Sequence, residues 1–264
     1  MSNPETPDGA TALIGYTGFV GSTLLRQRPF DACFNSSNIE QIRGRSFDLI
    51  VCCGARAEKW KANAEPERDL DNIEKLTHAL VGADAQKVVL ISTVDVFLNP
   101  VDVDEDSPTP MTSLHAYGRN RRRLEQIVAG RFDAHVIRLP GLYGRGLKKN
   151  VIYDFLHDNE VRKIDSRGVF QFYDVGRLWN DIETTMANEL PLVHLPPEPV
   201  SVADVVRAAF DIEFTNEVAP TPPRYDVHTK HADVFGGTGN YTQTKTDELL
   251  GIAAFVASER RSND

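Results

Sequence analysis

The chain has 264 residues, of which 41% are hydrophobic and 25% are charged, and its formal net charge at neutral pH is −9. This composition is typical of a globular protein and argues against extensive disorder. The acidic balance disfavours nucleic acid as the main partner, because its phosphate backbone repels a negative surface. A local pocket of hydrogen-bond donors can still bind a phosphorylated ligand.

The cysteines and the apolar runs bear on the cellular compartment that we expect for the protein. Three cysteines cannot build a disulfide framework, and adjacent Cys52 and Cys53 face opposite sides of a strand, so we expect a reducing compartment and no metal site. The first nine residues, MSNPETPDG, lack the apolar run of a secretory signal. The longest apolar run, residues 49–55, is far shorter than the ~20 residues of a membrane helix. We therefore expect a cytoplasmic protein without a membrane partner.

Short apolar runs alternate with helical periodicity through about residue 140. Strands are predicted at residues 10–14, 31–34, 47–53, 87–91 and 134–139, and helices at 18–28, 69–81 and 115–129. Residues 99–110 are acidic and rich in proline, which predicts an exposed loop. Parallel strands need crossover connections, so the alternation predicts a doubly wound parallel α/β sheet with helices on both faces.

The pattern is looser after residue 140. Helices are predicted at residues 150–157, 175–188, 201–210 and 242–250, strands at 168–173 and 192–195, and a loop at 213–224. We therefore predict a dinucleotide-binding domain at residues 1–147 and a smaller substrate-binding region at residues 148–264. We also expect the two to exchange elements.

Three glycines follow the first predicted strand and open the first predicted helix with the spacing G-x-x-G-x-x-G. Glycines at such a junction allow a tight turn, a close approach of the backbone to a pyrophosphate, and close packing of helix on strand. The amino end of the helix also offers N–H groups to phosphate. A plain glycine-rich turn is the alternative. The predicted cofactor contacts are Gly15, Tyr16, Thr17, Gly18, Phe19, Val20 and Gly21.

The second predicted strand ends without a carboxylate. In dinucleotide-binding sheets an acidic residue at this point holds the ribose of NAD. Here the chain reads FNSSN at residues 34–38, and Asn35 and Ser36 can donate hydrogen bonds to a 2′-phosphate. The sequence therefore favours NADP over NAD, with Asn35 and Ser36 as contacts.

Two further segments carry side chains suited to proton transfer. The strand near residue 90 runs into STVDVF at residues 92–97, and the next predicted helix begins with HAYGRNR at residues 115–121. A parallel sheet forms its site where strands end and helices begin. Tyr117 and Arg121 are four residues apart and share one helix face.

Together these segments resemble the extended short-chain dehydrogenase/reductases, also called the NAD-dependent epimerase/dehydratase family, and most of all the dTDP-4-dehydrorhamnose reductase branch. The resemblance rests on the glycine turn, on STVDVF, on the Tyr117 helix and on VIRLPGLYG at residues 136–144, and it weakens after about residue 150. It implies a Rossmann-type sheet with a smaller C-terminal α/β part that binds the substrate.

The resemblance assigns Tyr117 as general acid/base and Thr93 as the hydrogen-bond partner of the same substrate oxygen. The family motif is Tyr-x-x-x-Lys, whereas this chain has Arg121 at the lysine position. A guanidinium supplies charge and donors, but its shape differs and it cannot relay a proton. Three interpretations stay open: Arg121 substitutes for the lysine, the proton takes another route, or the chain binds a dinucleotide without turnover.

Further contacts are predicted around the cofactor and the substrate, with packing or solvation as the alternative for each. Residues after the third strand and in the loop near residue 140 border the cofactor by resemblance; they are Cys53, Gly54, Ala55, Pro140 and Leu142. The predicted substrate contacts are Arg145, Lys149, Asn150, Tyr173 and Arg177.

These features predict an NAD(P)-dependent oxidoreductase that transfers hydride at a secondary alcohol or ketone. The resemblance implies a small-molecule substrate, such as a nucleotide sugar, and leaves a homodimer through the tyrosine helix open. The chain is short for a sugar-nucleotide epimerase, so a simple reductase is preferred, with a sugar epimerase or dehydratase as an alternative. A non-catalytic dinucleotide-binding regulator or scaffold on the same fold is the alternative from another class.

Overall fold

The computed structural model describes residues 9–263, so the N-terminal segment up to residue 8, on which the absence of a secretory signal was predicted, lies outside the described residues. The strands are β1 (Thr11–Ile14), β2 (Ala32–Phe34), β3 (Ser46–Cys52), β4 (Asp84–Thr93), β5 (Val101–Val103), β6 (Ala134–Leu139), β7 (Gly141–Tyr143), β8 (Val169–Phe170), β9 (Phe172–Asp174), β10 (Leu192–His194), β11 (Val200–Ser201) and β12 (Asp226–Val227). The helices are α1 (Phe19–Gln27), α2 (Lys59–Ala64), α3 (Pro66–Val81), α4 (Ala116–Arg131), α5 (Val151–Leu156), α6 (Leu178–Ala187), α7 (Val202–Phe210) and α8 (Lys245–Asn263).

Six strands form a central parallel sheet in the order β10-β6-β4-β3-β1-β2, which confirms the predicted Rossmann-type architecture. β1 pairs in parallel with both β2 and β3, so that Ile14 lies opposite Phe34 on one side and Cys52 on the other. The next two strands in the chain, β2 and β3, therefore lie on opposite sides of β1 in the sheet. The carboxyl ends of β1 and β3 flank this switch point, where open α/β sheets bind their ligands.

The apolar strands are covered by helix faces of matching period. α3 begins with Pro66, whose missing N–H suits a first turn, and is capped at its end by Gly82. Its buried face, which includes Ile73, Leu76 and Leu80, joins strand residues in one hydrophobic cluster. Burial of each such side chain stabilises the fold by about 1.5–3 kcal/mol.

The described chain divides into two compact units, each built from separate stretches. The first comprises the residues up to Leu98, Pro108–Arg138 and Leu178–Val193, and the second comprises Asn99–Ser107, Leu139–Arg177 and the residues from His194 onward. The second unit has its own apolar cluster, in which Val202 and Val206 of α7 and Ile252 and Val256 of α8 take part. The predicted boundary after residue 147 separates a dinucleotide-binding domain from a substrate-binding region, and this division of roles stays a prediction.

Some elements differ from the sequence expectation. The stretch 99–110 contains β5, which pairs in parallel with β12, a partner more than a hundred residues away in the chain. The last helix does not end at residue 250 but continues to Asn263. It runs through Gly251, where a Cβ would lie 2.3 Å from the Tyr143 hydroxyl, so glycine admits a close contact here instead of ending the helix.

Two short elements and one helix boundary also differ from the sequence prediction. α2 and β7 are too short to show a period, and α6 begins at Leu178, since Val175–Arg177 form a separate 3-10 turn. Among the described residues, no helix combines the length and the apolar character that crossing a membrane requires.

Candidate active site

The glycine turn connects the carboxyl end of β1 to α1, and each glycine meets a different neighbour. Gly15 has a φ of +86°, and a Cβ there would lie 2.5 Å from the carbonyl oxygen of Cys53. A Cβ on Gly21 would lie 2.2 Å from the carbonyl oxygen of Gly15, so this glycine lets α1 pack on the turn. A Cβ on Gly18 would meet only that same carbonyl, at 3.3 Å, among the described residues.

The outer side of Gly18 suits an anion. Gly18 is the N-cap of α1, and no side chain caps the helix there. The first turn of α1 has no acidic residue, so nothing within it opposes the positive end of the helix dipole. Backbone N–H groups at such an end bind phosphate. The turn therefore fits the pyrophosphate of a dinucleotide, and it brings Gly15 against Cys53 and Gly54, whose contact with a cofactor stays a prediction.

The turn after β2 lies beside the glycine turn, since the N–H of Gly15 donates to the carbonyl of Phe34 at 2.7 Å. The Oδ1 of Asn35 accepts hydrogen bonds from the Ser37 N–H at 2.9 Å and from the Ser37 hydroxyl at 2.6 Å. Asn35 therefore shapes the turn, while Ser36 is exposed at its tip. Contact of either residue with a 2′-phosphate stays a prediction.

Tyr117 lies in the first turn of α4 and is 6% exposed. Three contacts fix this turn. The Nδ1 of His115, the N-cap, accepts the Gly118 N–H at 3.0 Å, and the Oδ1 of Asn63 in α2 accepts the Tyr117 N–H at 3.0 Å. Gly118 lacks a Cβ that would otherwise lie 2.2 Å from the carbonyl oxygen of Asp95. The start of α4 is thus held against the segment that follows β4.

Thr93 ends β4 and reaches the same place. Its hydroxyl accepts the Asp95 N–H at 3.1 Å, and its side chain lies close enough to Tyr117 to lower the pKa of the phenol. Burial raises the pKa of Tyr117 to about 12, and the nearby Asp95 carboxylate adds to this rise. The charges of Arg121 and Lys59 and the neighbouring Thr93 side chain oppose it. The phenol therefore carries its proton at neutral pH.

Arg121 lies one turn after Tyr117, with 3% of its surface exposed. Its Nη1 donates to the Asp69 carboxylate and, at 3.3 Å, to the carbonyl of Tyr117, while its Nη2 donates to the carbonyl of Arg56. The guanidinium carbon lies 4.0 Å from the centre of the Tyr117 ring. Arg121 brings positive charge to the tyrosine, and both of its terminal nitrogens are bonded to the protein.

Sequence reasoning missed the residues that surround this tyrosine: Lys59, Asn63, Asp95 and His115. The Nζ of Lys59 donates to the Oδ1 of Asp95 at 2.7 Å. The available signal was the spacing of Lys59 and Asn63, which puts both on one face of a helix. It carries no meaning until α2 is known to contact α4.

The predicted substrate contacts and the loop after β6 belong to the second unit. The Oδ1 of Asn150 caps α5 by accepting two backbone N–H groups at 3.0 and 3.2 Å, and its amino group donates to the Leu142 carbonyl at 2.8 Å. Tyr173 is buried on β9, where it pairs with Leu142 of β7. Arg177 donates to Gln243 at 3.3 Å. These side chains have structural roles, and their binding roles stay predictions.

Arg145 and Lys149 are exposed, whereas Pro140, a few residues earlier in the chain, is buried. Substrate contacts at the first two and a cofactor contact at Pro140 also stay predictions.

Three described side chains lie close enough to one another to be considered as a metal site, although the sequence predicts none. Atoms of Asp102, Asp226 and His228 lie within 4.8 Å of one another. Asp226 accepts a hydrogen bond from the Tyr241 hydroxyl at 2.7 Å and contacts Arg224 at 3.3 Å. Its carboxylate oxygens are therefore already bonded to protein donors.

Known proteins resemble this chain in structure. No family model matches it, and no curated protein sequence does. Three solved structures align over almost their whole length. MoeE5 in complex with UDP-glucuronic acid and NAD has a TM-score of 0.71 and 18% identity over 96% of this chain and 100% of that chain. The NAD-dependent NDP-hexosamine 5,6-dehydratase TunA, involved in tunicamycin biosynthesis, has a TM-score of 0.71 and 17% identity over 97% and 100%. The dTDP-4-dehydrorhamnose reductase of Bacillus anthracis in complex with NADP has a TM-score of 0.71 and 19% identity over 97% and 100%.

The chain has the fold of these enzymes. The resemblance predicted from the sequence is thereby confirmed at the level of the fold, and dTDP-4-dehydrorhamnose reductases are among the structures that share it. At such low identities, the activity of this chain has to be argued from the chemistry of its own site.

Proposed function

We propose that this protein is an NAD(P)H-dependent reductase that converts a ketone of a small polar substrate into a secondary alcohol. The observation that carries the proposal is the buried, protonated Tyr117, which lies near Thr93 at the end of β4. The glycine turn lies at the end of β1, and the parallel register brings the carboxyl ends of these strands to one edge of the sheet.

Tyr117 is suited to donate a proton to a substrate oxygen. The phenol is protonated at neutral pH because its pKa is raised to about 12, and the developing oxyanion would accept hydrogen bonds from Tyr117 and Thr93. The phenolate left behind is stabilised by the positive charges of Arg121 and Lys59. When bound, a reduced nicotinamide dinucleotide supplies the hydride that such a reduction needs at carbon.

The glycine turn would hold the dinucleotide. Gly18 and the amino end of α1 fit the pyrophosphate, and the exposed Ser36 favours NADP over NAD at the ribose, in the absence of a carboxylate in the FNSSN turn. NAD and NADP are both present in the structures that share this fold.

The substrate class is proposed from chemistry and from the fold. Two of the solved structures contain UDP-glucuronic acid or UDP-glucose. Exposed cationic Arg145 and Lys149 suit the diphosphate of such a compound. We therefore propose a nucleotide sugar as substrate and the second unit as its binding region.

A dinucleotide-binding protein without turnover is the second candidate. The arrangement of Arg121 favours it, because both of its terminal nitrogens are bonded to the protein where the family motif has lysine.

The test measures binding and turnover separately. NADPH and NADH binding is followed by nucleotide fluorescence, and oxidation is then followed with a panel of keto sugar nucleotides. Tyr117→Phe should bind the dinucleotide as the wild type does and lose turnover by about 10²–10⁴-fold, because only the proton donor is removed. Arg131→Gln, at an exposed ion pair at the far end of the same helix α4, is the control and should leave turnover unchanged.

Either of two results decides against the reductase. Failure of the wild type to bind either dinucleotide contradicts the whole proposal. Tight binding without oxidation on the panel supports the non-catalytic candidate. Equal, measurable turnover of the wild type and Tyr117→Phe would instead contradict the role of Tyr117 as the proton donor.

A further inference from the structure

Lys59 and Asn63 lie on one face of α2, and that face is directed to the start of α4. They are four residues apart, which places them on the same side of the helix. The Oδ1 of Asn63 accepts the N–H of Tyr117 at 3.0 Å. Lys59 is therefore carried by a helix face that is already bonded to the first turn of α4.

Asp95 directs the ammonium group of Lys59. The Nζ of Lys59 lies 2.7 Å from the Oδ1 of Asp95, whose side chain is 19% exposed. The N–H of Asp95 donates to the Thr93 hydroxyl, and its carbonyl packs against Gly118. The ion pair is thus fixed to the same short segment that carries Thr93.

The two cations near Tyr117 are held by the protein in different ways. Arg121 stacks on the ring, and its guanidinium is bonded to Asp69 and to two backbone carbonyls. The side chain of Lys59 is 39% exposed and reaches the cluster from another helix. An ammonium on a flexible stem can adjust to a charge that develops during a reaction, whereas a buried guanidinium whose two terminal nitrogens are bonded to the protein is held in place.

We propose that Lys59, held by Asp95, is a positioning residue of the reaction centre, which adds an adjustable positive charge to that of Arg121 and so helps to stabilise the Tyr117 phenolate. This inference rests on the proposed reductase function and adds to it a residue from outside the Tyr-x-x-x-Lys motif.

Electrostatics support the same arrangement. Three charged groups act on the pKa of Tyr117: Arg121 of α4 lowers it, Asp95 after β4 raises it, and Lys59 of α2 lowers it by less than Arg121 does. The same charges act on the pKa of His115, the N-cap of α4. Burial lowers the pKa of His115, Lys59 and Arg121 lower it further, and Asp95 raises it. His115 therefore reports on the charge beside Tyr117 at an accessible pH.

The first test needs no substrate. The ring signals of His115 are assigned by their loss in His115→Asn and titrated by NMR in the full chain. Lys59→Met should raise the pKa of His115 by about 0.5 unit, as expected for loss of one partly exposed charge. Lys59→Arg should leave it unchanged. The matched control is Lys61→Met, which removes the same charge from another face of α2 and should also leave it unchanged.

The second test uses turnover. Lys59→Met should lower kcat about tenfold and displace the pH profile of kcat, with little change in the KM for NADPH, because the charge acts on proton transfer. Lys59→Arg should recover most of the activity, and Lys61→Met should match the wild type. Thermal melting of each variant shows whether a loss of kcat reflects loss of folded protein.

The outcomes separate this inference from the proposed function. An equal pKa of His115 in Lys59→Met and Lys61→Met overturns the placement of the charge, whatever the activity. A shifted pKa with unchanged kcat and pH profile overturns its role in the reaction. A wild type that binds NADPH without turnover overturns the reductase and the role of Lys59 in it, while the His115 titration still reports whether the ammonium lies beside Tyr117.

Discussion

Arg121 stacks on Tyr117, with the guanidinium carbon 4.0 Å from the centre of the phenol ring. The same guanidinium bonds to Asp69 in α3 and to the carbonyl of Arg56, so one side chain joins two helices and the loop before α2. A lysine has one nitrogen and cannot reproduce this planar set of donors. The structure thus gives a physical reason for arginine at this position: its guanidinium holds neighbouring elements together, whatever part it takes in catalysis.

Replacing Arg121 should therefore reduce stability as well as any activity. Arg121→Ala leaves the Asp69 carboxylate buried without its cation, and the free energy of unfolding should fall by about 3–5 kcal/mol. Arg123→Ala is the control, because Arg123 pairs with Glu74 on the surface, where a salt bridge contributes about 0–1 kcal/mol. Urea unfolding measures both. Equal losses in the two variants would contradict a structural role for the Arg121 pair.

The parts of the fold that the sequence predicts well are those set by nearby residues. The strand before Gly15, the turn and the start of α1 lie within about twenty residues, and their apolar and glycine pattern is enough to predict them. The pairing of β5 with β12 joins residues 101 and 226, and nothing local distinguishes β5 from a loop. Such contacts are decided by tertiary packing.

The candidate site divides in the same way. Tyr117, Thr93 and Arg121 are visible as motif positions, but the partners that determine their chemistry are distant in sequence. Asp69 is 52 residues from Arg121, and Lys59 is 36 residues from Asp95. The sequence therefore indicates which groups react, whereas their pKa values and their freedom to bind a ligand depend on contacts that only the structure shows.

Two glycines of α4 should respond to alanine in opposite directions. Gly118→Ala would put a Cβ 2.2 Å from the Asp95 carbonyl, and such overpacking costs about 1–3 kcal/mol. A Cβ on Gly130 would have no neighbour within 4 Å among the described residues, so Gly130→Ala should stabilise the protein by about 0.5–1 kcal/mol. Chemical denaturation compares them. Stabilisation by both substitutions would rule out the close contact between α4 and Asp95.

The glycine turn offers a comparison that separates binding from folding. Gly18→Ala adds a methyl group on the outer side of the turn, where the nearest protein atom would be 3.3 Å away. Its unfolding free energy should stay within about 1 kcal/mol of the wild type, while NADPH affinity should fall at least tenfold, because the methyl group occupies the space of the phosphate.

Gly21→Ala is the counterpart, because its Cβ would lie 2.2 Å from the Gly15 carbonyl and should destabilise the fold itself. Fluorescence titration with NADPH and urea unfolding distinguish the two effects. Wild-type NADPH affinity in Gly18→Ala would show that the phosphates bind elsewhere.

Glu248 of α8 should make the stability of the protein depend on pH. Its side chain is fully buried, its Oε1 accepts the Phe172 N–H at 2.6 Å, and its Oε2 has no partner among the described residues. Burial raises the pKa of Glu248 to about 9, whereas a glutamate in an unfolded chain titrates near ~4.3. Between these values the folded state binds one more proton than the unfolded state.

The free energy of unfolding should accordingly decrease as the pH rises from about 5 towards about 9, with a contribution from Glu248 that approaches ~1.4 kcal/mol per pH unit. Glu248→Gln removes this titration, so its stability relative to the wild type should increase steadily over the same range. The exposed Glu213 provides the control, because Glu213→Gln should follow the wild-type pH dependence. Urea unfolding across the range gives the three curves. Parallel curves for Glu248→Gln and the wild type would mean that the buried carboxyl group ionises as readily in the folded protein as in the unfolded chain.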